Sequence, residues 1–392
     1  MTTRFLTSIK RVSAAQWNAL NPGEIPFLRH EFLAALESTG CVCETAGWTP
    51  NHLVLHDEAG NLQGAVALYR KSHSWGEFVF DWSWARAYTQ AGLDYYPKLV
   101  AMTPFTPATS PRLLTAPNAE AASVRRELSA ALTAHAREHS DSSAHVLFVP
   151  EEERDALTQT GFILRKDCQF HWHNRGYTSF DDFMATFRAE KRKKALRERR
   201  RVREGGVEYR TISGGEMTDA LWEVVFAFSA RTFAQHGNDH YLSAAFFRAV
   251  STSLPESLMV KLAVLKDVPI AAAIFFRSRD TLYGRYWGAA ANFDSLHFET
   301  CYYQGIDYCI EQGLQHFEPG TQGEHKVARG FEPTVTWSAH WIADPRFRRA
   351  IDAYLAEERA AIDQYAASVR EHVPFHRSTA HAEPAALDRS TD

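Results

Sequence analysis

The chain has 392 residues, 45% of them hydrophobic and 23% charged, enough apolar material for two ordinary domains and too much for a disordered or fibrous chain. Lys and Arg number 43 against 47 Asp and Glu, and the formal net charge of −4 on its own speaks against a polyanionic partner. The balance is uneven, because the window Arg188 to Arg203 holds ten basic residues against Glu190 and Glu198, carrying +8 and leaving −12 for the remainder.

Met1 to Lys10 lacks the apolar run of a secretory signal, and nothing in the chain approaches about eighteen uninterrupted apolar residues. A cytoplasmic protein with no membrane insertion is expected. Five cysteines (Cys41, Cys43, Cys168, Cys301, Cys309) are odd in number and sparse, which fits a reducing compartment. Cys41 and Cys43 have no second pair at zinc-site spacing and are expected as small buried side chains. His236 and His240 are spaced like a ligand pair, but the intervening Gly and Asn mark a loop. His171 and His173 sit in an alternating run and are expected on an exposed strand surface. No metal site is expected.

In chain order, the first half offers a hairpin from His52–His56 through a turn at Asp57-Glu-Ala-Gly60-Asn61 to Gln63–Tyr69. A third strand is expected over Glu77–Trp82, a helix over Ala121–His139 and a strand over His145–Val149. The second half repeats this grammar. Met259–Leu265, the turn Lys266-Asp-Val-Pro269 and Ile270–Phe276 form its hairpin, and Thr281–Trp287 its third strand. An amphipathic helix follows over His297–Gln312, closed by Gly313, and Leu314–Phe317 begins another strand. Around these fall a helix over Ser179–Glu204, with an N-cap Ser and Asp181-Asp182 at its start, and helices over Met217–Gln235, Ala244–Ser253 and Asp344–Val369. The economical interpretation is internal duplication of an α+β unit. Residues 1–175 and 176–376 then form two domains, and 377–392 a disordered tail.

A β-hairpin with a third strand, then a helix feeding a further strand, is the layout of the GNAT acyltransferase fold. Two in tandem resemble the Fem-type aminoacyltransferases, which use aminoacyl-tRNA to build peptidoglycan cross-bridges. Tyr95-Tyr-Pro-Lys-Leu, Pro104-Phe-Thr-Pro107 with Pro111-Arg112, Tyr283-Gly-Arg-Tyr-Trp-Gly288, Leu296-His-Phe-Glu-Thr-Cys-Tyr-Tyr303 and Glu318-Pro-Gly-Thr-Gln-Gly-Glu-His-Lys326 are similar to segments of a bacterial family of peptidoglycan biosynthesis or recognition proteins within the GNAT superfamily. The resemblance spans nearly the whole chain. It implies an α+β fold of two tandem GNAT-like (acyl-CoA N-acyltransferase) domains, each a mixed, mostly antiparallel sheet flanked by helices.

Read on their own terms, the residues give the following candidates. The basic helix carries charge on nearly all faces, so Lys191, Arg192, Arg197 and Arg200 are expected to meet a polyanion such as tRNA, a lipid-type pyrophosphate or coenzyme A phosphates; the plain alternative is a solvated surface. Tyr283, Arg285 and Trp287 are expected to share one strand face and wall a pocket for an anionic or planar ligand. Arg285-Tyr-Trp-Gly288-Ala-Ala290 matches the string with which GNAT enzymes bind the coenzyme A pyrophosphate, but it lies inside a strand rather than in the loop opening a helix.

His297 or Glu299 could take the proton of an attacking ammonium, and Tyr302 or Tyr303 could act as acid. Glu318, Glu324, His325 and Lys326 fall in a loop at a strand's C-terminal end, where proton transfer and anion binding converge. The expected activity is transfer of an acyl or aminoacyl group to an amine, such as a small molecule, a peptide or a cell-wall precursor. No tightly bound cofactor is expected, and acyl-CoA or aminoacyl-tRNA serves as donor. The competing expectation is a non-catalytic protein that recognises a cell-wall precursor or nucleic acid.

Overall fold

The hairpins expected in each half form, but in separate sheets: His52–His56 with Leu62–Val66 in a four-stranded one, Leu258–Leu265 with Val268–Arg277 in an eleven-stranded one. The computed structural model describes residues 1–376 except 119, 292 and 322, so the tail expected over 377–392 lies outside the described residues. Among the described residues an eleven-stranded sheet runs in the order Val207–Ser213, Leu258–Leu265, Val268–Arg277, Thr281–Ala289, His316–Glu318, Ile163–His173, Glu332–Ile342, Ser143–Leu147, Lys98–Ala101, Leu68–Lys71, Trp48–Pro50. A second sheet of four strands pairs Thr2–Leu6, His52–His56, Leu62–Val66 and Leu114–Thr115.

Each half contains one parallel pair. Lys98–Ala101 pairs with Ser143–Leu147, and Thr281–Ala289 pairs with His316–Glu318. A helical crossover links each pair: Ala121–Glu138 in the first half, and Leu296–Phe298 continuing to Gln304–Gln312 in the second. The other pairings are antiparallel. Lys266 and Asp267, at φ 51° and 62°, make the tight two-residue turn of the second hairpin.

The boundary expected near residue 175 falls just past Ile163–His173, and the sheet does not divide there. Glu332–Ile342 pairs along that strand, from His171 to Ile163, and on its other edge with Ser143–Leu147. The core is likewise shared. Phe27, on a 3-10 turn of the first half, meets Phe276 and Tyr283 at 5.3 and 4.9 Å, and Phe32 of the helix His30–Ser38 meets Phe246 of Ala244–Ser253 at 5.3 Å.

Several elements differ from expectation for physical reasons. Glu77–Trp82 is not a strand, and Trp82–Gln90 is a helix. Lys98 draws the carboxylates of that segment inward, with Glu77 Oε2 at 2.8 Å and Asp81 in contact on the same ammonium. The third strand of the first half is Lys98–Ala101 instead. The return strand Gln63–Tyr69 splits at Ala67, its first part joining the small sheet and Leu68–Lys71 the large one.

Ser179–Glu204 is two helices, Phe180–Ala185 and Ala189–Glu204. Phe187 turns into the core against Phe375 and Phe183, and the chain extends at Arg188 to allow it. His171 is buried rather than exposed, because its strand lies at the centre of the sheet. His240 faces Ser229, and with the exposed His236 it forms no ligand pair. Cys41 is buried, whereas Cys43 is only partly so.

Candidate active site

Parallel pairing of Thr281–Ala289 with His316–Glu318 ends at Tyr283 opposite Glu318. Beyond that register one strand runs on to Ala289 while the other turns away at Pro319. A cavity of about 340 Å³ opens where they part. Its walls are Arg285, Tyr286 and Trp287 of the strand, Tyr302, Pro319, Gly320 and Thr321, Lys326 of the 3-10 helix Glu324–Arg329, and a cap of Thr232, Phe233, His236, Asn238 and Tyr241. Phe78 and Pro107 close it from the first half.

A bulge shapes the strand wall. Ile274 pairs with Tyr286 and Phe275 with Gly284, so Arg285 is an extra residue, and the alternation reverses there. Tyr283 and Tyr286 therefore pack into one core cluster while Trp287 packs on another, not on the face expected to be shared. The Arg285 guanidinium donates to the Phe105 carbonyl and lies near the rings of Phe27 and Tyr286 at 5.7 and 5.9 Å. Gly288 serves packing rather than a pyrophosphate loop: a Cβ there would stand 2.0 Å from the Phe228 backbone of the helix Asp219–Gln235. Gly284 lets Pro319 approach, its built Cβ falling 3.2 Å from the Pro319 Cα.

The helix after the strand begins at Leu296, and Glu299–Tyr303 is a π-helical segment, the kind of widened turn that recurs at functional sites. It sends neighbouring side chains to different places. Tyr302 lines the cavity, and its hydroxyl is 2.8 Å from His325 Nε2. Tyr303, by contrast, is buried and donates to Glu198 at 2.7 Å, and Glu198 also holds Arg329 at 2.8 Å. Glu299 pairs with Arg199 at 3.0 Å and accepts from Gln304 at 2.8 Å. Glu324 accepts from Tyr365 of the C-terminal helix Pro345–Arg370. Of the expected group, Lys326, Arg285, Trp287 and the Tyr302 alternative line the cavity. Glu299, Tyr303 and Glu324 are engaged elsewhere.

The electrostatics single out two groups. Lys326 is 1% exposed, and its Nζ donates to the Gly320 carbonyl at 2.6 Å. Burial without a carboxylate partner pushes its ammonium down to about 7. Glu318 is pushed up to about 8 by burial, with Arg285 and Arg112 opposing the shift, and its Oε2 has no hydrogen-bond partner. The His297 ring meets Trp287 at a tilt and Tyr302 edge-on, at 5.1 and 5.4 Å. Burial and the neighbouring His325 take its imidazole to about 4, so it is neutral and weakly basic at pH 7.

The basic helix borders a separate groove of about 880 Å³, lined by Arg192, Lys193, Arg197, Arg200 and Arg203 with Phe180, Leu196 and Tyr209. Arg199 is neutralised by Glu299 and Asp307, and Arg201 by Asp294. Among the described residues Arg192, Lys193, Arg197 and Arg203 have no ion-pair partner. Lys191, on the same helix, is not part of the groove wall. Sequence reasoning missed Phe78, Phe233 and Tyr241, which come from distant segments. The one available signal was the motif Pro104-Phe-Thr-Pro107, whose Phe105 stacks on Tyr241 at 5.3 Å.

Fold and site together describe one continuous mixed sheet with a cleft where Thr281–Ala289 and His316–Glu318 part, closed by residues of both halves. A model of the FemAB-like family, described as peptidoglycan biosynthesis/recognition, matches residues 8–377, and the chain belongs to that family. Among curated protein sequences none is significantly similar to it. Similar solved structures include FemX, at 9% identity and TM-score 0.55 over 90% of this chain and 100% of that one. The C-terminal domain of a putative lysylphosphatidylglycerol synthetase from Agrobacterium fabrum aligns at 10% identity and TM-score 0.55 over 87% and 95%. A Bacteroides thetaiotaomicron protein of unknown function aligns at 12% and 0.52 over 88% and 100%. At these identities the likeness is one of fold alone. No helix among the described residues is long and apolar enough to cross a membrane.

Proposed function

We propose that the protein is an acyl- or aminoacyltransferase acting on an amine seated in the cavity of the second unit. The observation that carries this is Lys326, a buried amine with its affinity for a proton lowered to about 7, beside a cavity large enough for a substrate's reacting end. Acylating an amine requires removal of an ammonium proton, attack on a carbonyl carbon and protonation of the leaving oxygen or sulfur. Lys326, half deprotonated near pH 7, takes the proton. Glu318, still protonated there and one residue behind the cavity-lining Pro319, is the source of the proton returned to the leaving group, and the Tyr302 hydroxyl in the cavity wall donates to the developing oxyanion. His297, too weak a base at about 4, orients Trp287 and Tyr302.

The donor's phosphates lie over the unpaired arginines of the groove, next to the same π segment. Aminoacyl-tRNA is the reading the groove supports better than acyl-CoA, since the Arg285 string is committed to packing. The family description supports a cell-wall precursor as acceptor. The test is mass spectrometry of the protein incubated with candidate amines and each donor type. Lys326→Ala is expected to lower turnover by about 10²-fold or more, and full activity in both Lys326→Ala and Glu318→Ala overturns the assignment. Binding of a precursor with no product from any donor would identify a recognition protein instead.

A further inference from the structure

The cavity is walled in an unusual way. Phe233, Tyr241, Tyr286 and Trp287 stand partly exposed around it, with Phe78 and Tyr302 completing the ring. Phe233 meets Tyr241 edge-on at 5.1 Å and Tyr286 at 6.3 Å with a 38° tilt. Among the described residues no Ala, Val, Leu, Ile or Met lines it, no Asp or Glu does either, and Asn238 is its one side-chain amide. A pocket for an aliphatic chain would be walled by branched side chains, and a sugar site would present several carboxylates or amides to successive hydroxyls. Aromatic walls also attract cations, yet among the described residues no carboxylate lines this cavity to hold one, and Arg285 and Lys326 already stand in its wall.

What remains is a neutral or anionic planar ring, which such walls accept in offset or edge-on geometry. We infer that the cavity holds a planar ring carried by a substrate within a few atoms of its reacting centre. This rests on the transferase reading only for the words reacting centre. The ring has two sources, an aromatic aminoacyl or acyl group being transferred or a nucleobase of the donor, and both present the same face to Phe233 and Tyr286.

Isothermal titration of the full chain with four probes separates the cases: N-acetyl-L-phenylalaninamide, adenosine, N-acetyl-L-alaninamide and methyl glucoside. At least one ring probe is expected to bind 10-fold or more tightly than the last two, and to weaken 10-fold or more in Phe233→Ala. Arg210→Ala, an exposed residue paired to Asp267, should leave binding unchanged, and thermal unfolding checks that Phe233→Ala remains folded. Preference for the phenylalanine amide assigns the ring to the transferred group, and preference for adenosine assigns it to the donor. The inference is overturned if neither ring probe binds, or if the alanine amide or the glucoside binds as tightly. Product formed from ring-free substrates at a rate unchanged in Phe233→Ala overturns it while sustaining the transferase reading. Ring binding without product from any donor does the reverse.

Discussion

Glu318→Gln is the sharpest perturbation beside the cavity, because it replaces the carboxyl at the strand end behind the wall residue Pro319 by a neutral group of the same shape. The carboxyl is pushed up to about 8 in the native state against an ordinary value of 4.5. Between these values the unfolded chain is ionised while the native chain holds its proton, so the native state binds more protons and its stability falls as pH rises through that window. At pH 7 the separation is about 2.5 pH units, and at 1.36 kcal/mol per unit the carboxyl costs the fold about 3 kcal/mol. The glutamine carries no such cost. Urea unfolding of both proteins at pH 5 and pH 7 is therefore expected to show wild type losing about 2.5 kcal/mol more than Glu318→Gln across the interval. Equal losses in the two proteins would refute an elevated Glu318 and with it the proposed proton donor.

Three further outcomes are expected. Turnover should rise with pH through about 7, as Lys326 sheds its proton, and fall above about 8, as Glu318 loses its own; a profile flat from pH 6 to 9 contradicts both roles. Replacing Arg197 and Arg203 by Ala should weaken tRNA binding and reduce its log–log salt slope by about 1 for each phosphate no longer neutralised; anisotropy titrations at several salt concentrations read this, and an unchanged slope removes the groove from donor binding. Gly288→Ala places a Cβ 2.0 Å from the Phe228 backbone and is expected to cost about 3 kcal/mol, seen as lowered thermal unfolding; a neutral effect would show that the helix and strand do not touch there.

The duplicated grammar was legible where local chemistry decides. Lys266-Asp267 forms the turn, the apolar spacing of Phe298 to Ile310 marks the crossover helix, and Gly313 ends it with φ 68°. Glu318 and Lys326 were expected in one loop, whereas Glu318 ends the strand His316–Glu318 and Lys326 lies in the 3-10 helix Glu324–Arg329. What escaped depends on tertiary events. The bulge at Arg285 is an insertion relative to a partner strand some ten residues away in sequence, so period-two reasoning put Tyr283 and Trp287 on one face. The π segment adds a residue to a turn, and no apolar spacing shows whether Tyr302 or Tyr303 then meets the cavity. Glu77 and Asp81 read as part of a β-rich run because their partner, Lys98, lies far along the chain. Phe78 and Tyr241 meet only after the two halves dock.

The position of Glu332–Ile342 also bears on synthesis. Ser143–Leu147 and Ile163–His173 leave the ribosome with a slot between them that only that strand fills. At about 5–20 residues per second the wait is about ten to thirty seconds, during which two strands meant for the interior show open edges to any neighbouring chain. A premature stop anywhere before residue 332 therefore does not yield a folded first half beside an unfinished second one; it leaves the first half itself without its central partner.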